Sequence, residues 1–367
     1  MNPIEQSEFD EDWYLDTYED VRGAVYAGGF KDGYEHFTQF GFREGRDGRL
    51  RSSGRIISIY SSALSDDPLE QTKSAWSISA DEQAALFGWY WMAHPMVRAR
   101  TNAMQSGEPD MDGYGRLSEI AQERGLQVPF ARTLSLGCGF GVLERDLSDR
   151  GLIDECDAID IADAAIEQAS RLAQEGGYER LRYRVADLDR EMLPERHYDL
   201  IFAHQSVHHV ERLEELFEKV ASALKPNGLL HLNEFVGPTR FQWTDDQLRL
   251  VNEFLDTLPE ELRQTPRGRK APVVRPTVEA MIRADPSESV RSSEILDVLQ
   301  QRFRIIEKRP YGGSLLHIGL GEIAQNFREN DPNHRAHLER FFALEDEMMD
   351  RGHIGSDYVV VVAEVRR

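Results

Sequence analysis

The stretch Leu134-Ser135-Leu136-Gly137-Cys138-Gly139-Phe140-Gly141-Val142-Leu143-Glu144 decides how the chain is read. A short apolar run ends in glycines at alternate positions, and an amphipathic segment follows. Strand, turn and helix in that order form a junction suited to a ligand. Glycine tolerates a positive φ and lets a ligand approach the backbone with no Cβ in the way. Asp160 lies 21 residues beyond Gly139, close to the offset of ~20 residues at which an acid meets ribose hydroxyls in nucleotide-type folds.

Working outward, short apolar runs alternate with amphipathic segments. The pattern predicts strands over 133–136, 156–161, 181–186, 198–203 and 229–235. Between the last two, Leu213, Leu216, Phe217, Val220 and Leu224 share one helical face, and Pro226-Asn227-Gly228 ends that helix. Such alternation implies an α/β fold with a mostly parallel sheet and helices on both faces. Residues 238–300 interrupt it with helices predicted over 245–258, 277–284 and 292–302. Two further strands, 303–308 and 358–365, follow. The interruption reads either as a lid or acceptor-binding segment or as extra packing.

The 367 residues carry 43 Lys+Arg against 65 Asp+Glu, a formal net charge of −22. That balance argues against wrapping a nucleic-acid backbone and against docking on an anionic membrane. Cys138 and Cys156 are the only cysteines, which fits a reducing compartment and excludes a disulfide-stapled scaffold. No signal-like apolar start and no spanning segment is present, so a cytoplasmic location is expected. Residues 1–50 are rich in aromatics and acids and read as a small helical module, with helices over 13–21 and 34–40. Residues 51–77 read as linker and 78–367 as the main domain. Ser79 and Glu82 form a capping-box pattern ahead of Leu86, Trp89 and Tyr90, and Pro95 forces a kink or restart.

The glycine spacing narrows the cofactor. A dinucleotide pyrophosphate calls for G-x-G-x-x-G, whereas here the pattern is G-x-G-x-G with Val142 at the third position. The shorter pattern resembles motif I of class I S-adenosylmethionine-dependent methyltransferases. Asp160-Ile161, Ala186-Asp187-Leu188, the segment from His204-Gln205 to Val210, and Leu224-Lys225-Pro226-Asn227-Gly228 are similar to the motifs that follow in that family. The resemblance implies a Rossmann-like, doubly wound, mostly parallel seven-stranded sheet and S-adenosyl-L-methionine as cofactor. It implies Gly137, Cys138, Gly139, Gly141, Asp160, Ile161, Asp187, Leu188, His204 and Gln205 as cofactor residues. One departure stands out: the acid often found two places before the first glycine is Ser135 here.

Beyond the cofactor motifs, His94-Pro95, Glu234-Phe235-Val236-Gly237-Pro238, Phe241-Gln242-Trp243-Thr244-Asp245, Asp285-Pro286-Ser287-Glu288 and Tyr311-Gly312-Gly313 resemble methyltransferases encoded among bacterial surface-polysaccharide and O-antigen genes. Residues 9–46 resemble a module attached to polysaccharide glycosyltransferases. These likenesses imply a glycan or other small-molecule acceptor, with glycosyltransferases as partners of residues 1–50. A small-metabolite or lipid acceptor, and a non-catalytic scaffold, remain as alternatives.

Methyl transfer to a sugar hydroxyl needs a proton acceptor, and histidine suits that task near neutrality. His208, just past the fourth strand, is the candidate base, and Glu234 is its rival or its orienting partner. His231, within a strand, reads as core. No metal site is read, because the neighbours His208 and His209 are expected to point in different directions. Trp91, Trp243 and Tyr311 are candidates to stack on a sugar, or plain core. Arg263, Arg267, Arg269, Lys270 and Arg275 form a basic island that could meet an anionic acceptor or simply be solvated, and Arg98 and Arg240 are further acceptor candidates.

Overall fold

The computed structural model describes residues 4–26, 28–41, 46, 48–52, 56–57, 70–73, 90–265 and 268–366. The seven-stranded sheet expected from the alternation is present. Its strands are β1 (Phe130–Leu136), β2 (Ile153–Asp160), β3 (Leu181–Val185), β4 (Tyr198–His204), β5 (Leu224–Phe235), β6 (Phe303–Pro310) and β7 (Tyr358–Val365). They lie in the order β6-β7-β5-β4-β1-β2-β3. Only β7 runs against its neighbours β5 and β6, with Val360 opposite Asn233 and Tyr358 opposite Phe235. The sheet is thus doubly wound, mostly parallel and Rossmann-like.

Helices α1 (Val142–Asp149), α2 (Asp163–Gly176), α3 (Leu213–Ala223), α4 (Asp245–Asp256), α5 (Ile295–Arg302) and α6 (Pro332–Asp350) accompany it. The five residues of the apolar face read before β5 do enter the core: Leu213, Leu216, Phe217, Val220 and Leu224 are buried with Leu134, Ile201, Val361 and the α5 residues Val298 and Leu299. The opposite face is closed by Tyr114, Leu117 and Ile120 of the helix Gly113–Glu123 against Phe130, Phe202 and Val362. Strand β5 starts earlier than its apolar run suggests, at Leu224, because the Pro226-Asn227-Gly228 segment lies within the strand between a Tyr198–Leu224 and a Leu200–Leu229 pairing.

Because the order reverses between β1 and β4, their carboxyl ends diverge into loops that leave a crevice, where ligands bind in open α/β sheets. The chain direction after β1 leads to β2 and β3; after β4 it leads to β5. Pro95 acts as a restart: the helix Pro95–Ser106 begins there, with His94 Nδ1 accepting the Met96 N–H at 3.2 Å. The capping-box pattern at Ser79 and Glu82 lies outside the described residues. A capping box does form at Thr244 and Gln247, at the start of α4.

Packing gathers residues 1–75 with 274–286, and 76–273 with 287–367, so the segment 238–300 is divided between two units. The first contains the helices Glu11–Thr17, Glu19–Tyr26 and Gly33–His36 around buried Phe9, Tyr14, Val21 and Phe37. The single helix expected over 13–21 is therefore two. The chain leaves helical geometry at Tyr18 (φ −117°, ψ 86°), whose ring packs edge-on to Tyr14 at 4.9 Å. Glu19 and Asp20 then supply the acids favoured at a fresh helix start.

Candidate functional site

The glycine turn leaves β1 with positive φ at Gly137, Gly139 and Gly141 (71°, 50° and 68°), which β-carbon-bearing residues adopt at a cost. A Cβ at Gly137 would stand 2.3 Å from Ser206 Cβ, and one at Gly141 2.6 Å from the Tyr183 ring. A Cβ at Gly139 would meet nothing within 4 Å, so the turn is open on that side. The close approach at Gly137 joins the loops after β1 and β4 at the switch point. Ser206 Oγ donates to the Leu136 carbonyl at 2.6 Å, closing the same seam.

Asp160 closes β2 and grips the turn. Its Oδ2 accepts the Gly139 N–H at 2.8 Å and its Oδ1 accepts the Ala162 N–H at 2.9 Å. Each oxygen keeps a further lone pair for another donor. Asp187, just past β3, accepts the Asp189 N–H at 2.9 Å and pairs with Arg190 at 3.3 Å. Leu188 packs against the core, and Ile161 is half-buried. Burial pushes the Cys138 thiol well up, so this residue is a small apolar wall rather than a nucleophile.

Beneath the turn lies a residue the sequence reading did not single out. Glu144, in the first turn of α1, is wholly buried, and Ser135 Oγ donates to its Oε1 at 2.5 Å. Burial pushes its carboxyl up to about 7, against the opposing Ser135 bond. The position that lacks an acid, Ser135, thus has one directly behind it. Its only sequence signal is an acid in a helix's first turn, which is ordinary there.

On the other side of the crevice, His208 and Glu234 meet although 26 residues separate them: His208 Nδ1 lies 2.8 Å from Glu234 Oε2. Glu234 ends β5 and is wholly buried. It accepts the Ser206 and Val207 N–H groups at 2.6 Å each, and the Phe235 N–H at 3.1 Å. Burial alone would raise its pKa, yet the His208 charge and these hydrogen bonds prevail and hold it below the ordinary carboxylate range. His204 is pushed down by burial and lies 3.4 Å from the Tyr114 hydroxyl. Gln205 takes a positive φ of 54° and reaches Asn233 Oδ1 at 3.3 Å and the Tyr311 hydroxyl at 3.4 Å.

One geometric expectation fails. His208 and His209 do not point apart: their ring centroids are 4.2 Å from each other at a 41° tilt. They have left the strand, where neighbours alternate faces, and curl on the 3₁₀ turn Val207–His209.

Other candidates go elsewhere. Trp91 and Tyr311 are fully buried core, and Trp243 stacks on Phe241 at 5.3 Å. His231 is buried and pushed down to about 3, consistent with a core role. Arg98 donates to the Ala93 carbonyl at 3.2 Å, and Arg240 to the Glu288 carbonyl at 2.9 Å. Of the basic island, Arg269 and Arg275 are exposed, whereas two members turn inward. Arg263 is buried against the Lys270 carbonyl at 3.2 Å, and Lys270 Nζ caps the Ile318 and Gly321 carbonyls at 2.9 and 2.5 Å. Burial drives Lys270 down to about 8. Arg267 lies outside the described residues. Among those residues no helix is long and apolar enough to cross a membrane.

Residues 134–230, spanning the glycine turn through the start of β5, match the family model described as a methyltransferase domain. The malonyl-[acyl-carrier protein] O-methyltransferase of Legionella pneumophila is 27% identical over 160 residues, 40% of this chain and 55% of that protein. The ubiquinone biosynthesis O-methyltransferase of Rickettsia felis is 29% identical over 96 residues, 26% and 38% respectively. The hybrid PKS-NRPS synthetase apdA of Emericella nidulans is 29% identical over 140 residues, 35% of this chain and 4% of the synthetase. The chain spans roughly half or less of the length of these relatives. Among solved structures, an S-adenosylmethionine dependent methyltransferase from Mesorhizobium loti is similar with a TM-score of 0.39 at 19% identity, over 67% of this chain and 96% of that one.

Proposed function

We propose that this chain is an S-adenosylmethionine-dependent O-methyltransferase, and that its acceptor is a sugar hydroxyl of a bacterial surface glycan or of its cytoplasmic precursor. The observation that carries the reading is the His208–Glu234 pair, 2.8 Å apart and set across the crevice from the open glycine turn. The family match over 134–230 supports the reaction class. The names of the relatives from Legionella and Rickettsia, both O-methyltransferases, favour oxygen as the methylated atom.

The residues fit the cofactor. Gly139 leaves open space where a side chain would stand, and Asp160 and Asp187 offer lone pairs to hydroxyl or amino donors. In this reading Gly137, Cys138, Gly139, Gly141, Asp160 and Ile161 hold the sugar, Asp187 and Leu188 the base, and His204 and Gln205 the amino-acid end. S-adenosylmethionine supplies an electrophilic methyl group.

The chain's own task is to align the acceptor and take its proton. Glu234 is held ionised by three backbone N–H groups, so its Oε2 is an acceptor facing His208 Nδ1. That bond keeps the histidine proton on Nδ1, so Nε2 is the nitrogen that takes the acceptor's proton in this reading. As Nε2 takes the proton, the adjacent carboxylate stabilises the imidazolium. The glycan assignment rests on the likeness of residues 9–46 and of the segments around Glu234 and Asp285 to glycan-assembly proteins. It is tested by mass spectrometry of the surface glycan from a strain lacking the chain. The reading expects O-methyl ethers to vanish and to return on complementation; unchanged methylation contradicts it and turns attention to carrier-linked or small-metabolite acceptors.

A further inference from the structure

The turn after β4 meets a second loop that carries metal-binding chemistry. Glu288 belongs to the segment ahead of the 3₁₀ turn Ser292–Glu294. Its Oε1 stands 3.7 Å from His208 Nε2. That is too long for a hydrogen bond, which needs ~2.7–3.2 Å. It is close to the ~3.4 Å separating two ligand atoms around a tetrahedral ion with bonds of ~2.05 Å. One ligand atom each from His208, His209 and Glu288 lies within 4.8 Å of the others.

The two histidines are also held from behind. Glu234 Oε2 is 2.8 Å from His208 Nδ1, and Ser287 Oγ is 3.1 Å from His209 Nδ1. Both histidines are thereby oriented to coordinate through Nε2. Ser289 Oγ donates to Glu288 Oε1 at 2.9 Å. The two loops are pinned together, since the Val290 N–H donates to the His208 carbonyl at 3.1 Å. Carboxylate behind histidine behind ion is the arrangement that orients metal-ligating imidazoles and raises their basicity. Two imidazoles and one carboxylate suit zinc-class ions rather than magnesium, and three protein ligands leave a fourth position open.

We infer that His208, His209 and Glu288 form a binding site for one divalent zinc-class ion, with its open position facing the crevice. The inference does not rest on the methyl-transfer reading. Nε2 of His208 has one lone pair, which holds either the ion or the acceptor's proton, so binding rather than turnover is the decisive readout.

The experiment strips the full chain with a chelator and titrates zinc in competition with a chromophoric chelator, with cobalt(II) as a spectroscopic probe. The expected result is one ion per chain and a four-coordinate cobalt spectrum. Glu288→Gln and His209→Ala should each weaken binding at least tenfold, on the scale of losing a ligand or its support. Glu288→Gln is nearly isosteric, and its melting curve checks that the fold is kept. Failure of the wild type to compete for zinc, or undiminished binding by both variants, overturns the site. S-adenosylmethionine affinity, measured separately, distinguishes that outcome from failure of the methyltransferase reading.

Discussion

Of the glutamates wholly buried in the domain of the seven-stranded sheet, one lies under the turn after β1 and one at the end of β5, and these two sit in opposite protonation regimes. Glu144 has Ser135 as its side-chain donor and is pushed up to about 7 by burial. Glu234 faces His208 and three backbone N–H groups and is held below the ordinary range despite the same burial. Desolvation is common to both; the number and charge of the donors differ. A buried carboxyl with one neutral side-chain donor keeps its proton near neutrality and serves as structure, whereas one facing an imidazole and several backbone donors stays ionised and can organise chemistry.

The largest effect that would sharpen this contrast is on turnover. Glu234→Gln places an amide NH₂ where an acceptor now faces His208, which favours the tautomer with the proton on Nε2 and removes the base. Methyl transfer is expected to fall by about 10²–10⁴-fold with S-adenosylmethionine affinity retained. A turnover within about threefold of wild type would mean the two glutamates are equivalent after all.

Next comes stability against pH at Glu144. The folded chain holds this proton more tightly than the unfolded one. Its contribution is therefore fully present below about 4.5 and is lost as pH rises through about 7. Ionising it costs on the order of 3 kcal/mol, an order-of-magnitude figure. Glu144→Gln, neutral and able to bond Ser135, should melt above wild type at pH 8 and close to it at pH 4.5. Parallel melting curves at all pH values would place Glu144 in the same class as Glu234.

A smaller effect is expected at Tyr311, whose hydroxyl donates to Asn233 Oδ1 at 2.6 Å. Gln205 also donates to that oxygen at 3.3 Å. Tyr311→Phe should cost about 1 kcal/mol of stability by denaturant melts, because the acceptor keeps one donor. A loss of cofactor binding would instead tie Tyr311 to the ligand.

The contrast also separates what the sequence disclosed from what it concealed. The sheet, the glycine turn and Asp160 were legible because strand, turn and helix are written in local periodicity and a short spacing. The Glu144 environment was not, since an acid in a helix's first turn gives no sign of facing inward. Glu234 was recognised as a partner or rival of His208, but the three N–H groups that hold its charge depend on the curl of 206–210 over β5. The same curl brought His208 and His209 together against the alternation expected of neighbours. Within the basic island, Arg263 and Lys270 turn inward to cap carbonyls, which no charge count registers. Near the start, the helix breaks at Tyr18, where neither glycine nor proline stands to announce it.

The central claim is that the turn at 137–141, held by Asp160, is the S-adenosylmethionine site. Isothermal calorimetry of the full chain with S-adenosylmethionine, beside Asp160→Ala checked for folding by its melting curve, tests it most directly. The account predicts one site per chain and a ~10–100-fold loss of affinity in the variant, the scale of charge-assisted hydrogen bonds. Wild-type protein that binds no cofactor, or a folded Asp160→Ala that binds it equally well, would contradict the account.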